Sequence, residues 1–403
     1  MKKAFIIVFS ALIAFTVFAT TVLATPSNIL YLLNWGEYID MSLLAEFEST
    51  YHCQVVLETV TSSEAMYQKI AASTTSYDVA IPGDYTVAEL HEEGLIRRLD
   101  VNNPDLPYLG SYKTSFSDDL FSLIYEYMKD EHGVYNDYFM PYFWGAYCAI
   151  YGTRPGEEEV GEALKEKGFE AFYNRNLYSS PKKIGMYDTA RWILASYLLS
   201  QGLDPNITDR DGSKDDDLSP AMVEEAKSKL KEAHFDEFGN DQLKRNVATG
   251  SLDMCFTQLG DFFDTLFLSL EEGKDIEFNV AVPEVTAAFF DSMVIPSTCQ
   301  NYSLANKFIN FMLNPEKAYQ NAKAIGYSPT LKSVVELYKE DARKGAYYFG
   351  EADSKGSLLL SDFLSRYPVY LDPLAGKKDA VYMLEPKSIR YLTTCETIFN
   401  SLA

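Results

Sequence analysis

Two hydrophobic periods trade places along the first hundred residues. Ile29 to Leu33 is a short continuous apolar run. Asp40 follows, and then Leu43, Leu44 and Phe47 at helical spacing, so the pattern predicts a strand and an N-capped helix. A second strand is expected over Gln54–Glu58. Thr61-Ser62-Ser63-Glu64 has the composition of a capping box and opens a helix carrying Met66 and Ile70. A strand over Tyr77–Ile81 leads through Pro82-Gly83-Asp84-Tyr85 into a helix that stops at Gly94. The order βαβαβα predicts a mostly parallel sheet covered by helices. The apolar run Ala146 to Tyr151 begins a second α/β region that reaches about residue 286. It includes a helix opened by Ser219-Pro220 with Met222, Val223, Ala226 and Leu230 apolar, and a strand over Phe278–Val282. Asp204 to Asp217 reads as a solvated loop. Further helices flank Asn314-Pro315, and the last 70 or so residues read as helices with a Tyr-rich interruption around 345–380.

Composition narrows the class. With 47% hydrophobic and 14% aromatic residues the chain is globular, and its 403 residues exceed one small core, so two domains are expected. The chain opens with Lys2-Lys3, an apolar run through Val22 and the small-residue site Val22-Leu23-Ala24, which together read as a secretory leader over residues 1–24. Because the apolar run approaches the length of a membrane span, a retained anchor is the alternative. The mature protein is expected to be exported, to the periplasm or the outer face of the cytoplasmic membrane. The net charge is −23 before the loss of Lys2 and Lys3, which argues against nucleic acid and attracts cations at long range. Five widely spaced cysteines form no CxxC pair, and the four histidines (52, 91, 132 and 234) match no metal motif. No GxSxG, P-loop or GxGxxG occurs, and the carboxylate runs 157–159 and 215–217 read as solvated surface. No cofactor is expected. A secreted glycosidase, which needs two facing acids, is a remote alternative.

The chemistry-bearing residues gather at predicted strand ends. Asn34-Trp35-Gly36-Glu37-Tyr38 puts an indole, a carboxylate and a phenol where the first strand finishes, and ligands of open α/β sheets bind outside the carboxyl ends of strands. Aromatic faces beside acids suit a desolvated organic cation. Glu37, Asp261 and Asp291 can supply acids; Trp35, Tyr38, Tyr85, Phe289 and Tyr327 can supply faces.

The same opening resembles that of the bacterial spermidine/putrescine-binding proteins, the receptors of polyamine ABC importers. Ile81-Pro82-Gly83-Asp84-Tyr85, Pro141-Tyr142-Phe143-Trp144-Gly145, Phe290-Asp291-Ser292-Met293-Val294-Ile295-Pro296, Lys307-Phe308-Ile309-Asn310-Phe311-Met312 and Ile325-Gly326-Tyr327-Ser328-Pro329 extend the likeness in order over residues 28–335. The resemblance implies a two-lobed α/β fold of the class II periplasmic-binding-protein type. Each lobe would be a mixed sheet covered by helices, with the chain crossing the hinge three times. The implied lobes are 25–140 plus 287–332, and 141–286 plus 333–403. It also implies a monomer that holds a polyamine in the interlobe cleft and delivers it to a membrane permease. The implied ligand set is Trp35, Glu37, Tyr38, Asp84, Tyr85, Asp188, Gln258, Asp261, Phe289, Asp291 and Tyr327. Asp291 would grip an ammonium and Asp261 would be the second amine-binding acid. The chain departs from the family pattern where Trp192 replaces an acid after Arg191, where Gln258 and Phe289 replace tryptophans, and where Gly83 replaces a serine. These changes point to a shorter diamine ahead of spermidine. Another solute on the same fold, such as an amino acid or a thiamine-like cation, and a ligand-sensing role are the alternatives.

Overall fold

The computed structural model describes residues 28–351, 356–374, 377 and 380–402. The leader expected at 1–24 lies outside the described residues, as does part of the Tyr-rich stretch 345–380. No helix among the described residues is long and apolar enough to cross a membrane.

The first region follows the pattern closely. Strand β1 (Ile29–Trp35) is followed by α1 (Met41–Tyr51), β2 (Gln54–Val60), α2 (Ser63–Ala71), β3 (Val79–Ala80) and α3 (Asp84–Glu92). β1 pairs in parallel with β2 and β3. Asp40 caps α1 by accepting from Ser42 N–H, and Ser62, not Thr61, caps α2 by accepting from Ala65 N–H. Gly94 closes the turn after α3 at φ +68°, a left-handed conformation that glycine adopts without strain. The strand expected over Tyr77–Ile81 is shorter than its apolar run.

The middle of the molecule departs from expectation in an informative way. The run expected as a strand over Ala146–Tyr151 begins seven residues earlier, as the 14-residue β4 (Phe139–Gly152). Its alternate side chains fall into two separate buried clusters: Tyr147 and Ala149 into one, Ala146, Cys148 and Ile150 into the other. A strand buried on both faces reads as continuous apolar sequence. Pro141 sits inside it, opposite a register shift between Asp291 and Ser292 of β8 (Thr286–Pro296). A bulge is where a strand tolerates a residue without an N–H.

β4 and β8 run antiparallel and belong to both lobes. At one end β8 pairs with β3. At the other end β4 pairs with β6 (Met254–Gln258) and β7 (Phe278–Ala281), and β6 pairs in parallel with β5 (Ile184–Tyr187). A third crossing is β9 (Ser328–Pro329), which pairs with Phe143 and Trp144 of β4. It follows α7 (Pro315–Ile325), which ends at Gly326 with φ +85°. The strand order is therefore β2-β1-β3-β8-β4-β6-β5. One core cluster fills the β1–β3 lobe and continues past the crossings. The other lies on the opposite face of the second lobe, around Phe169, Phe172, Trp192 and Phe256.

Candidate functional site

The crossing strands gather the aromatic and acidic residues. Tyr38 follows β1 and lies against the crossings. Its backbone carbonyl accepts from Tyr142 O–H at 2.9 Å, and Tyr142 in turn accepts from Asn321 Nδ2 of α7 at 2.7 Å. Its ring meets those of Tyr142, Phe143 and Tyr327 edge-on, with Tyr327 nearest at 4.9 Å between centroids. Its hydroxyl donates to Asp291 Oδ2 at 2.6 Å.

Asp291 stands opposite the bulge in β4, where Tyr142 is the extra residue, and is bridged to Gly83. A Cβ at position 83 would lie 3.5 Å from Asp291 Oδ1, so glycine leaves that oxygen room. Asp84 opens α3 beside it, accepting from the backbone N–H of Tyr85 at 2.6 Å and of Phe290 at 3.3 Å. Burial pushes the Asp84 carboxyl up to about 7, and the charge of Asp291 adds to the rise. Burial likewise pushes Asp291 up to about 7, against the opposing pull of the Tyr38 hydroxyl. One buried and one half-buried acid with charge this poorly met are a functional-site signature. Ser292 Oγ, next along β8, and Asn34 Oδ1, whose amide Nδ2 donates to Tyr38 O, are buried and find no hydrogen-bond partner among the described residues.

The second lobe contributes Gln258 and Asp261 from the β6–α6 junction, where α6 spans Leu259–Glu271. Tyr327 O–H donates to Gln258 Oε1 at 3.3 Å, and Gln258 Nε2 donates to Tyr147 O–H at 3.2 Å. Phe289 packs over Gly145, where an added Cβ would fall 2.9 Å from the ring, and faces Tyr147 and Tyr327. Trp35 is half-buried, its indole N–H donating to Ile81 O at 2.8 Å.

Two expected ligand groups, Asp261 and Tyr85, already have partners within the protein. Asp261 is the N3 residue of a capping box whose N-cap is Gln258. Its carboxylate also accepts from Thr257, from Tyr187 O–H at 3.2 Å and from Lys244 Nζ at 3.2 Å. An acid expected to await a ligand amine is thus held by the protein's own ammonium. Tyr85, expected to offer its face to a ligand, lies under the guanidinium of Arg191 at 4.8 Å. Trp192 is 7% exposed and stacks on Tyr147 with 3.4 Å between centroids. It supports a tyrosine of the wall from behind. Glu37 and Asp188 are exposed, and no side-chain hydrogen bond among the described residues joins either to this network. Glu37 takes a left-handed backbone, φ 51°, in the turn that delivers Tyr38.

Sequence reasoning missed Tyr142, Tyr147, Tyr187, Arg191 and Lys244 as members of the network. Tyr142 lay in a block already singled out, and Arg191 beside a flagged departure; Lys244 carried no local signal. All five described cysteines are free, and no group of ligating side chains among the described residues could hold a metal ion.

Comparison with known proteins bears on the family and the fold. The family model described as "Bacterial extracellular solute-binding protein" matches residues 42–346. The spermidine/putrescine-binding periplasmic protein of Escherichia coli K12 is 28% identical over 330 residues, covering 81% of this chain and 84% of that protein. The putrescine-binding periplasmic protein PotF of the same organism is 23% identical over 356 residues, covering 87% and 91%. The crystal structure of the spermidine/putrescine ABC transporter substrate-binding protein PotD from Streptococcus pneumoniae superposes with a TM-score of 0.67 at 26% identity, over 93% of this chain and 98% of that one.

Proposed function

The chain belongs to the bacterial extracellular solute-binding proteins, and from that premise we propose that it captures a small organic cation of the polyamine class in its interlobe cleft, for delivery to a membrane permease. The observation that carries this reading is the pair of acids Asp84, buried, and Asp291, half-buried, set at the crossing strands beside Tyr38, Tyr327 and Phe289. A protonated amine supplies the charge these acids lack, and the aromatic rings take up its methylenes and the flank of its charge. Trp35 continues the aromatic wall from the β1 end. Capture needs no bond to be made or broken, so the reading is one of transport and not catalysis.

On this reading the protein is exported and acts as a monomer. Lobes of residues 25–140 plus 287–332 and of 141–286 plus 333–403 close over the ligand, a hinge motion of a common type. Because Gln258 and Phe289 stand where tryptophans are usual in the resembling family, and Trp192 backs Tyr147 where an acid is usual, a diamine is favoured over spermidine.

Isothermal titration against putrescine, cadaverine, spermidine and spermine tests the reading. At least one of them is expected to bind with measurable heat, and a thermal upshift should accompany it because only the folded state binds. Silence across the series, from protein shown to be folded and ligand-free, would remove the polyamine class. A second reading, an amino-carboxylate ligand, is favoured by Arg191: it is buried over Tyr85, donates to Glu385 O, and has no carboxylate within ion-pair distance among the described residues. Titration with ω-amino acids of matching length decides between the two.

A further inference from the structure

The cleft has two acidic ends, and the protein meets their charges differently. Asp84 and Asp291 form one end. Asp261 stands beyond the aromatic span, reached from Asp291 through Tyr38, Tyr327 and Gln258. Among the described residues no lysine or arginine nitrogen forms an ion pair with Asp84 or Asp291, and their donors are one phenol and two backbone N–H groups. Asp261, 6% exposed, accepts from Thr257, Tyr187, the Gln258 N–H and the ammonium of Lys244. Lys244 is itself 6% exposed and lies 3.0 Å from Asp241 and 2.9 Å from Asp264.

A lysine side chain ends as an alkylamine does, in a primary ammonium on a run of methylenes. Resting on the polyamine reading above, we propose that Lys244 is a resident counterpart of a ligand ammonium: it fills the Asp261 end and sets the specificity of the cleft. The cleft then reads one ammonium, at Asp84 and Asp291. The second charge of a diamine meets an Asp261 already paired with Lys244, and so does the far charge of a longer triamine.

The test compares butylamine with putrescine, which share a four-carbon chain and differ by one ammonium. In the wild-type protein their dissociation constants should lie within about ten-fold of each other, since both present the one ammonium that the cleft reads. In Lys244→Met, Asp261 is released, and putrescine should gain about ten-fold or more over butylamine. Lys244→Arg, which keeps the cation, should keep the wild-type ratio. Should Lys244→Met fail to fold, Lys244→Gln, which removes the charge and keeps a donor, carries the same comparison. An unchanged ratio in a folded, amine-binding variant overturns the role of Lys244 and leaves the polyamine reading standing. A wild-type protein that binds no amine overturns both.

Discussion

Asp84 and Asp291 hold protons more tightly in the folded protein than in an unfolded chain, because burial disfavours their charged forms. Such a group contributes stability that is full below its ordinary range near 4 and is lost as pH rises through about 7. The ligand-free melting temperature should therefore fall from pH 5.5 to pH 8 as far as these two groups govern it. A bound cation reverses the shift. Binding should then release protons near pH 7, tighten with rising pH and level off above about 8, and give a larger thermal upshift at pH 8 than at pH 5.5. Titration in buffers of different ionisation heat measures the released protons; no release would mean that the acids do not face the ligand. Asp291→Asn should weaken amine binding about ten- to a hundred-fold, the worth of a charge-assisted hydrogen bond, without lowering the ligand-free melting temperature at pH 8. Asp291 could be singled out in the sequence because its block, Phe290 to Pro296, resembles one of the family. Lys244 and Arg191 were not, because what defines them is a partner brought by the fold: Asp261 lies 17 positions on, and Tyr85 lies in the other lobe.

Among the elements, the β6–α6 junction is the most tightly specified. A Cβ on Gly260, near the start of α6, would lie 2.2 Å from the ring of Tyr327, which is itself set against Tyr38 and Gln258. Glycine is required there for close approach, since its backbone is not left-handed. In an exposed helix, Gly→Ala stabilises by about 1 kcal/mol. Here the overpacking should reverse the sign, destabilising by about 1–3 kcal/mol and displacing Tyr327 from Tyr38, so that amine affinity falls as well. The urea midpoint and the dissociation constant report the two effects, and an Ala variant at least as stable as the parent would contradict the packing. Helix starts were readable to within a residue, since Asp40, Ser219 and Asn314 each cap where a polar side chain precedes a helical apolar stripe. Strand limits were harder to read. An apolar run ends with burial, while a strand ends with pairing, so β3 is shorter than its run and β4 is longer.

At the scale of the whole molecule, the two-lobed fold was legible because βαβ periodicity and the resembling blocks point the same way. The internal cations that close part of the cleft were not. On the proposed lobe boundaries, the contact of Arg191 with Tyr85 joins the lobes. In solution, small-angle scattering should show the radius of gyration falling on saturation with the bound amine, toward the roughly 21 Å expected of a compact chain of this length. A radius that ignores a ligand shown to bind would rule out closure. The register shift between β8 and β4 gives that motion a particular order. A residue on an axle sweeps almost no arc when the arms swing, and Asp291 lies where two of the three crossing strands are joined. Its carboxylate thus keeps nearly the same place whether the lobes stand apart or together, like the fixed jaw of a clamp. An incoming ammonium meets its main counter-charge before anything moves. Tyr327 and Phe289, beside the same axle, are in place almost as early, and the groups farther out on the swinging arm arrive last, to shut water out.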